Sequence, residues 1–470
     1  MIVTERSQTR RSVLHPHPVA SPRPSSHPEN LHRQLGLASA AAAVAGEAIG
    51  VGIFLTPAGM ARQLGSPFWL LAVWAGMGLM AVAGGLCFGA LAARFPQAGG
   101  AYVYLREAYG PRLAFLYGWM QLLVIDPGVT ASLAVGMAAY TASVINISVV
   151  EQKALGIATI LALAALNMRG TRLGAGFLQG FTWLKILVLA LLPIWALGFG
   201  LGDWSHFTPF VARHSGSAPL FPALAAASMA AFYSFGGWWE ATKLAGEVRE
   251  PERNMPRALL LGVLAVTVVY ILVTSVFVYL VPIERITSDE TFMAQAGERL
   301  FGAAGATIMA ALVVLCVLAC LAALLILSPR VYYAMARDGL FFHSIAKIHP
   351  TYGTPARAIA IQAILASLLV ALGNFYQIVA YFVFVAVLFL GLTVAGLFRL
   401  DSRLDGDPRF RVPGFPYTPL VFLGLVAMML GLLASRSPRQ ALLGVLVVLL
   451  GVPVFRLVRK QSARLRPISN

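Results

Sequence analysis

The sequence predicts an all-α integral membrane protein of about twelve transmembrane helices, the first and the sixth of them interrupted. Three observations carry this. The 470 residues are 59% hydrophobic and only 11% charged, where a soluble domain has about 25% charged and 45–50% apolar residues. Apolar runs of about 20 residues, enough for a helix to cross a bilayer, recur along the chain. Two of these runs carry glycines and an acid where a regular membrane helix has use for neither: "GEAIGVGIF" (Gly46–Phe54) and "FYSFGGWWEATK" (Phe232–Lys243).

The elements follow in order. Residues 1–34 are rich in Pro, Ser, His and Arg and lack the apolar core of a secretory signal; they read as a disordered tail. Spans are expected at approximately 36–64, 67–93, 113–147, 154–168, 176–201, 219–246, 257–281, 304–336, 357–373, 375–399, 416–434 and 439–456. The fourth is short, and the ninth and tenth meet around Gly373-Asn374. Ten spans over 35–400 form the core, two additional helices occupy 401–456, and 457–470 is a second tail. The connectors are short, so function resides within the helices. The charged stretches Gly246–Leu259 and Arg337–Ala358 read as solvated connectors with interfacial helices.

An even number of spans puts both termini on one side, and the basic residues choose it. Of 35 Lys and Arg residues, only Arg62, Lys153, Arg213, Arg285, Arg299, Arg436 and Arg439 fall opposite the termini. Both termini are therefore expected in the cytoplasm, the protein in the cytoplasmic membrane. The net charge of +16 reflects topology, and nucleic acid is not an expected partner.

Chemistry inside the membrane has few candidates. All eight histidines lie in the tail or in loops, and no span holds an H-E-x-x-H motif. Cys316 and Cys320 share a helix face but have no third ligand nearby; with Cys87 they read as packing residues. No enzyme, catalytic residue, metal or organic cofactor is expected.

The interruptions are informative as a pair. Divided into five-helix halves, the core places one interruption in the first span of each half. Interrupted segments in corresponding positions are the best sequence pointer to a transporter binding site. An unwound turn exposes N–H and C=O groups that hydrocarbon cannot satisfy. The outer half of the first span would aim N–H groups and a positive dipole end at a carboxylate. Inner fragments offer carbonyls to an ammonium group, and a zwitterionic amino acid supplies both charges. Gly85 and Gly89, by contrast, read as packing notches.

The segments "GEAIGVGIFLTPA", "FPQAGGAYVYLREAYGP", "NMRGTRLGAGFLQGFTWLK" and "FYSFGGWWEATKLAGEVREPERNMPRA" resemble the amino acid–polyamine–organocation (APC) superfamily, above all its bacterial permeases and the L-type amino acid transporters. The resemblance implies a LeuT-like fold, with a ten-helix inverted-repeat transport core. It places a carboxylate-binding turn on Gly50, Val51, Gly52 and Ile53, and an ammonium-binding turn on Tyr233, Ser234 and Gly236. Tyr233 also matches an aromatic gate over bound substrate. Val51 stands where many relatives have Ser, and Glu47 replaces a neutral residue. Some L-type transporters use a glycoprotein partner joined through an extracellular cysteine; no cysteine here lies in such a loop, so no covalent subunit is expected.

Four ionisable residues remain as gating or coupling candidates: Glu47, Asp126, Lys185 and Glu240. Lys185 matches a lysine that sodium-independent relatives place where sodium-coupled ones bind the ion. It serves either as a structural cation or as a proton carrier. Glu47 either meets substrate or pairs with Lys185. Asp126, ahead of Pro127, either couples protons or marks a local kink. Glu240 is either a gate residue or the partner of Lys243. Trp238 and Trp239 read as packing residues.

The function expected is sodium-independent secondary active transport of neutral, zwitterionic amino acids by alternating access, as proton symporter or exchanger. Two alternatives stand beside it. The extra carboxylates suit cationic amino acids or polyamines, and the same broken helices would serve a non-transporting sensor or a channel.

Overall fold

The computed structural model describes residues 33, 35–49, 52–97, 99–169, 187–286, 289–328, 354–401 and 412–465, with short pieces between 331 and 352. The tail at 1–32, Gly50, Val51, Lys185 and the last five residues lie outside the described residues. Among the described residues, ten helical segments are long and apolar enough to cross a membrane, and two shorter apolar helices, Leu187–Gly198 and Ala356–Leu372, stand where the fifth and ninth spans are expected.

The first span is three helices, α1 (Leu37–Ala48), α2 (Gly52–Leu55) and α3 (Pro57–Leu64). Gly65, at φ 62°, ends α3 in the left-handed conformation. Pro67 then opens α4 (Pro67–Arg94), at a position whose N–H has no helical partner anyway. A short helix not anticipated from sequence, α5 (Ala101–Tyr109), leads into the third span. That span is α6 (Pro111–Met120), a π turn at Gln121–Ile125, and α7 (Asp126–Ile145).

The fourth span is longer than expected. Ser148 and Glu151 form a reciprocal capping box, so α8 (Val149–Met168) starts five residues ahead of the expected boundary at 154 and reaches 20 residues. After α9 (Leu187–Gly198), the sixth span comprises α10 (Leu220–Phe235) and a 3-10 helix, Glu240–Glu247. Pro251 opens α11 (Pro251–Leu280), six residues before the expected start of the seventh span at 257. A second unanticipated helix, α12 (Asp289–Phe301), packs on α13 (Gly305–Leu327) and buries Phe292, Met293, Ala296 and Leu300, with Phe292 edge-on to Phe277 of α11 at 5.4 Å. The remaining helices are α14 (Ala356–Leu372), α15 (Phe375–Asp401), α16 (Tyr417–Arg436) and α17 (Pro438–Leu465).

The packing repeats with a five-span period. Span two packs on span seven (α4 on α11), span three on span eight (α7 on α13), and span four on span nine (α8 on α14). Span ten, α15, contacts both α7 and α4. Gly89 is the expected notch: a Cβ there would sit 2.7 Å from Pro256 Cα. Gly85 is not; it has no neighbour closer than 3.8 Å, and the tight position is Gly84, against the Trp238 ring. Outward faces carry exposed Leu161, Leu166, Ile194, Leu442 and Leu450, as lipid contact requires.

Two connections hold the ends. Leu35 forms a parallel β-bridge with Val248: its N–H donates to Glu247 O (3.0 Å), and Arg249 N–H donates to Leu35 O (2.8 Å). This joins the start of the first span to the end of the sixth. In the connectors, Tyr102 donates to Asp338 at 3.2 Å; burial, then the Asp338 charge, raise the Tyr102 hydroxyl above the usual range.

Candidate functional site

The two interruptions lie against each other. In the first span, α1 stops at Ala48, where Ile49 N–H closes on Ala45 O at 2.6 Å, and helix resumes at Gly52. In the sixth, α10 stops at Phe235, Gly236 is extended (φ −52°, ψ 144°), and Gly237 takes φ 106°. Only glycine adopts that conformation at little cost. A Cβ at Gly237 would sit 2.5 Å from the Glu47 carbonyl oxygen, and one at Gly52 would sit 2.4 Å from Ser234 Cα. The glycines thus unwind the spans and also bring their backbones together.

Hydroxyl groups tie this junction. Tyr270 of α11, fully buried, lies within hydrogen-bonding distance of both Ala48 O (2.9 Å) and Ser234 O (2.8 Å). Its single O–H is shared between two carbonyls that the broken helices leave over. Its ring is held edge-on by Trp74 and Phe235, at 5.2 and 5.1 Å. Thr56 and Ser234 hydroxyls are 2.7 Å apart, and each is 3.0 Å from a carbonyl four residues back, Gly52 O and Ala230 O. Each hydroxyl has one proton, so one donates across the junction while the other donates along its own helix. From α7, Ser132 donates to Tyr233 Oη at 3.2 Å, and Tyr140 donates to Phe54 O at 2.6 Å. The half-buried Tyr233 ring meets Phe375 edge-on at 5.5 Å and Phe382 at 6.1 Å, both on α15.

Of the residues expected to bind substrate, Gly52, Ile53, Tyr233, Ser234 and Gly236 converge here. Gly50 and Val51 lie outside the described residues, as does Lys185. The Glu47 side chain, in the last turn of α1, is exposed. Glu240 forms an ion pair with Lys243, the second of the two expected arrangements. Asp126 is 6% exposed and accepts from Tyr332 and Ser328. Its local irregularity lies upstream, in the π turn, and not only at Pro127. That proline has no N–H to give the turn before it; Tyr381 Oη of α15 lies 3.5 Å from the Leu123 carbonyl oxygen. Trp238 packs on Phe88 at 5.3 Å, and Trp239 stacks on Phe232 at 5.6 Å, as packing residues do.

Sequence reasoning did not single out Thr56, Ser132, Tyr270 or Tyr332. Thr56, Ser132 and Tyr270 are hydroxyls within apolar runs, where a donor needs an acceptor, and that is the signal that marks them; Tyr332, between Arg330 and Arg337, carries no such signal.

The amino acid permease family matches residues 35–452. Among curated proteins, the chain is 29% identical to the serine/threonine exchanger SteT of Bacillus subtilis, over 92% of this chain and 98% of that protein. It is 28% identical to the mouse b(0,+)-type amino acid transporter 1, over 90% of this chain and 87% of the other. The human large neutral amino acids transporter small subunit 2 is 28% identical, over 90% and 80%.

Proposed function

This chain belongs to the amino acid permease family, within the APC superfamily, and on that premise we propose that it moves amino acids without sodium, by alternating access around the junction of its first and sixth spans. It is a multi-pass membrane transporter and not an enzyme; the coupling, the substrate and the residues below are our reading. The observation that carries it is the reciprocal contact of Gly52 with Ser234 and of Gly237 with Glu47 O. Two unwound turns in corresponding spans put first-turn N–H groups and leftover carbonyls side by side. A zwitterion fits that pair: its carboxylate on the amides of the Gly50–Ile53 turn, its ammonium on the carbonyls around Tyr233, Ser234 and Gly236. Tyr233 is carried on the end of α10 and braced by Ser132 and Phe375, and on this reading its ring covers the bound molecule.

Neutral amino acids are the leading substrates, in the company of relatives named for serine and threonine or for large neutral amino acids. Both termini belong in the cytoplasm, by the distribution of Lys and Arg. No covalently attached subunit is needed, since Cys87, Cys316 and Cys320 all lie within spans. Counterflow in sodium-free proteoliposomes tests this reading. Vesicles preloaded with mixed unlabelled amino acids are expected to accumulate labelled leucine or serine above empty-vesicle controls. Absence of accumulation for every amino acid tried would sink it.

A second reading, cationic substrates, is favoured by the exposed Glu47 carboxylate at the edge of the junction. On that reading Glu47→Gln loses arginine and lysine in competition assays while keeping leucine; unchanged selectivity removes it.

A further inference from the structure

The third span carries a feature that substrate binding does not use. Its π turn, Gln121–Ile125, sits directly ahead of Asp126, and such turns cluster at functional positions. Asp126 is almost fully buried, where an ionised carboxylate is costly without donors. Ser328, at the end of α13, and Tyr332, just beyond it, both donate to the carboxylate. The Tyr332 hydroxyl also lies 3.4 Å from the carbonyl oxygen of Gln121, the first residue of the π turn.

Tyr332 therefore stands between an acid and a carbonyl with one proton to give. When Asp126 is ionised, Tyr332 donates to it. When Asp126 is protonated, its own O–H donates to Tyr332 Oη, and the tyrosine proton turns to Gln121 O. Both states are hydrogen-bonded without displacing a heavy atom. An ordinary structural carboxylate needs only the first arrangement.

The charges around Asp126 give the switch something to act on. Among the described residues, Lys243 and Glu240 act on it from the second half of the sixth span, and Tyr117 of α6 lies within electrostatic range. Glu47 of α1 acts in turn on Lys243. From α15 comes Tyr381, and from α14 comes Gln362, which donates to Thr130 at 3.2 Å; Thr130 in turn donates to Asp126 O. Three carboxylates thus share one ammonium, so neutralising one of them relaxes the set. We infer that Asp126 is the group that binds and releases the coupling proton, with Tyr332 and the Gln121 carbonyl as its two-way switch. The proton bonds to a carboxylate oxygen of Asp126 from one side of the membrane and leaves that oxygen to the other. Tyr332 keeps one O–H throughout. Loss of the Asp126 charge removes its attraction to Lys243 together with the smaller repulsion from Glu240, so the second half of the sixth span is held less tightly and is freer to move.

This rests on the transporter reading above, and the test separates the two. Full-length wild type, Asp126→Asn and Tyr332→Phe are reconstituted without sodium, and each is assayed for counterflow and for net accumulation driven by an acid exterior. Wild type is expected to do both. Asp126→Asn is expected to keep counterflow and to lose pH-driven accumulation. Tyr332→Phe removes a donor from the ionised carboxylate and is expected to move the pH midpoint of driven uptake upward by about one unit. Two results would overturn the inference while leaving amino acid transport intact. One is Asp126→Asn still concentrating substrate on a pH gradient; the other is wild type that exchanges but never accumulates. If Asp126→Asn is silent in both assays, Tyr332→Phe decides, and an unmoved midpoint overturns the switch. Wild type without counterflow would sink the transporter reading, and this inference with it.

Discussion

Gly237 has two constraints on one Cα. Its φ of 106° and the Glu47 carbonyl oxygen 2.5 Å from a built Cβ both exclude a side chain. Gly237→Ala must open the junction or distort the turn, and the left-handed conformation alone costs an L-residue about 1–2 kcal/mol. Counterflow by Gly237→Ala is expected to fall at least about tenfold at equal reconstitution, the loss that about 1.4 kcal/mol implies. Gly236→Ala serves as the comparison. It has extended backbone, and its nearest contact, the Tyr233 carbonyl oxygen, is 3.1 Å away, so it is expected to cost less. Equal losses in the two variants would refute the contact as the cause. Glycine pairs of this kind are legible in a sequence, because no soluble turn or lipid-facing surface explains them in the middle of an apolar run. Their separate duties are not legible. That Gly237 meets Glu47 O and Gly52 meets Ser234 is a relation between residues far apart in the chain.

At the scale of elements, the broken spans are joined at two levels. Tyr270 and the Thr56–Ser234 pair join them at the interruption, and the Leu35–Val248 bridge joins their far ends. The segment before α1 and the 3-10 helix after α10 are thus expected to move as one piece. A Leu35→Cys/Val248→Cys pair, in a background lacking Cys87, Cys316 and Cys320, is expected to cross-link and still transport. Transport blocked by the cross-link and restored by reductant would show that the ends separate during the cycle. Which elements could be read beforehand follows from what forms them. Long apolar runs between Gly, Pro and charge announce themselves, so the described spans overlap the expected ranges, although the fourth and seventh start early, and the Gly373-Asn374 corner falls between α14 and α15. The S-x-x-E of Ser148 and Glu151 is a legible capping signal, and it sets the start of the fourth span five residues ahead of the expected boundary at 154. The π turn at Gln121–Ile125 was not readable, because "QLLVI" suits an α-helix equally well. Only its surroundings select the wider turn. The amphipathic α12, half polar, was lost among connectors for the same reason that its buried face needs α13 to define it.

For the whole molecule, the five-span period of contacts is the main regularity. Spans two, three and four each pack on their counterparts in the other half, although the halves share little recognisable sequence. Physics explains the mismatch. Backbone geometry and helix length hold a repeat in place, while almost any apolar residue of suitable volume will line it. The relation of the spans to one another was therefore anticipated from the matching positions of two interruptions, and the pairing of side chains within it was not. The charged candidates divide along the same line. Glu240 and Lys243, three residues apart, were readable as a pair, whereas Asp126 and Tyr332 lie 206 positions apart and no local rule brings them together.

The bridge at Leu35 has a mechanical consequence. Residues 1–34 are bonded directly to a strand-like anchor that grips the end of the sixth span. A pull on the chain ahead of Leu35 is borne by two backbone hydrogen bonds to Glu247 and Arg249, at the end of the sixth span. The sixth span is thereby tied to the chain ahead of the first through backbone groups alone, so substitutions that keep the N–H of Leu35 and Arg249 leave the link in place.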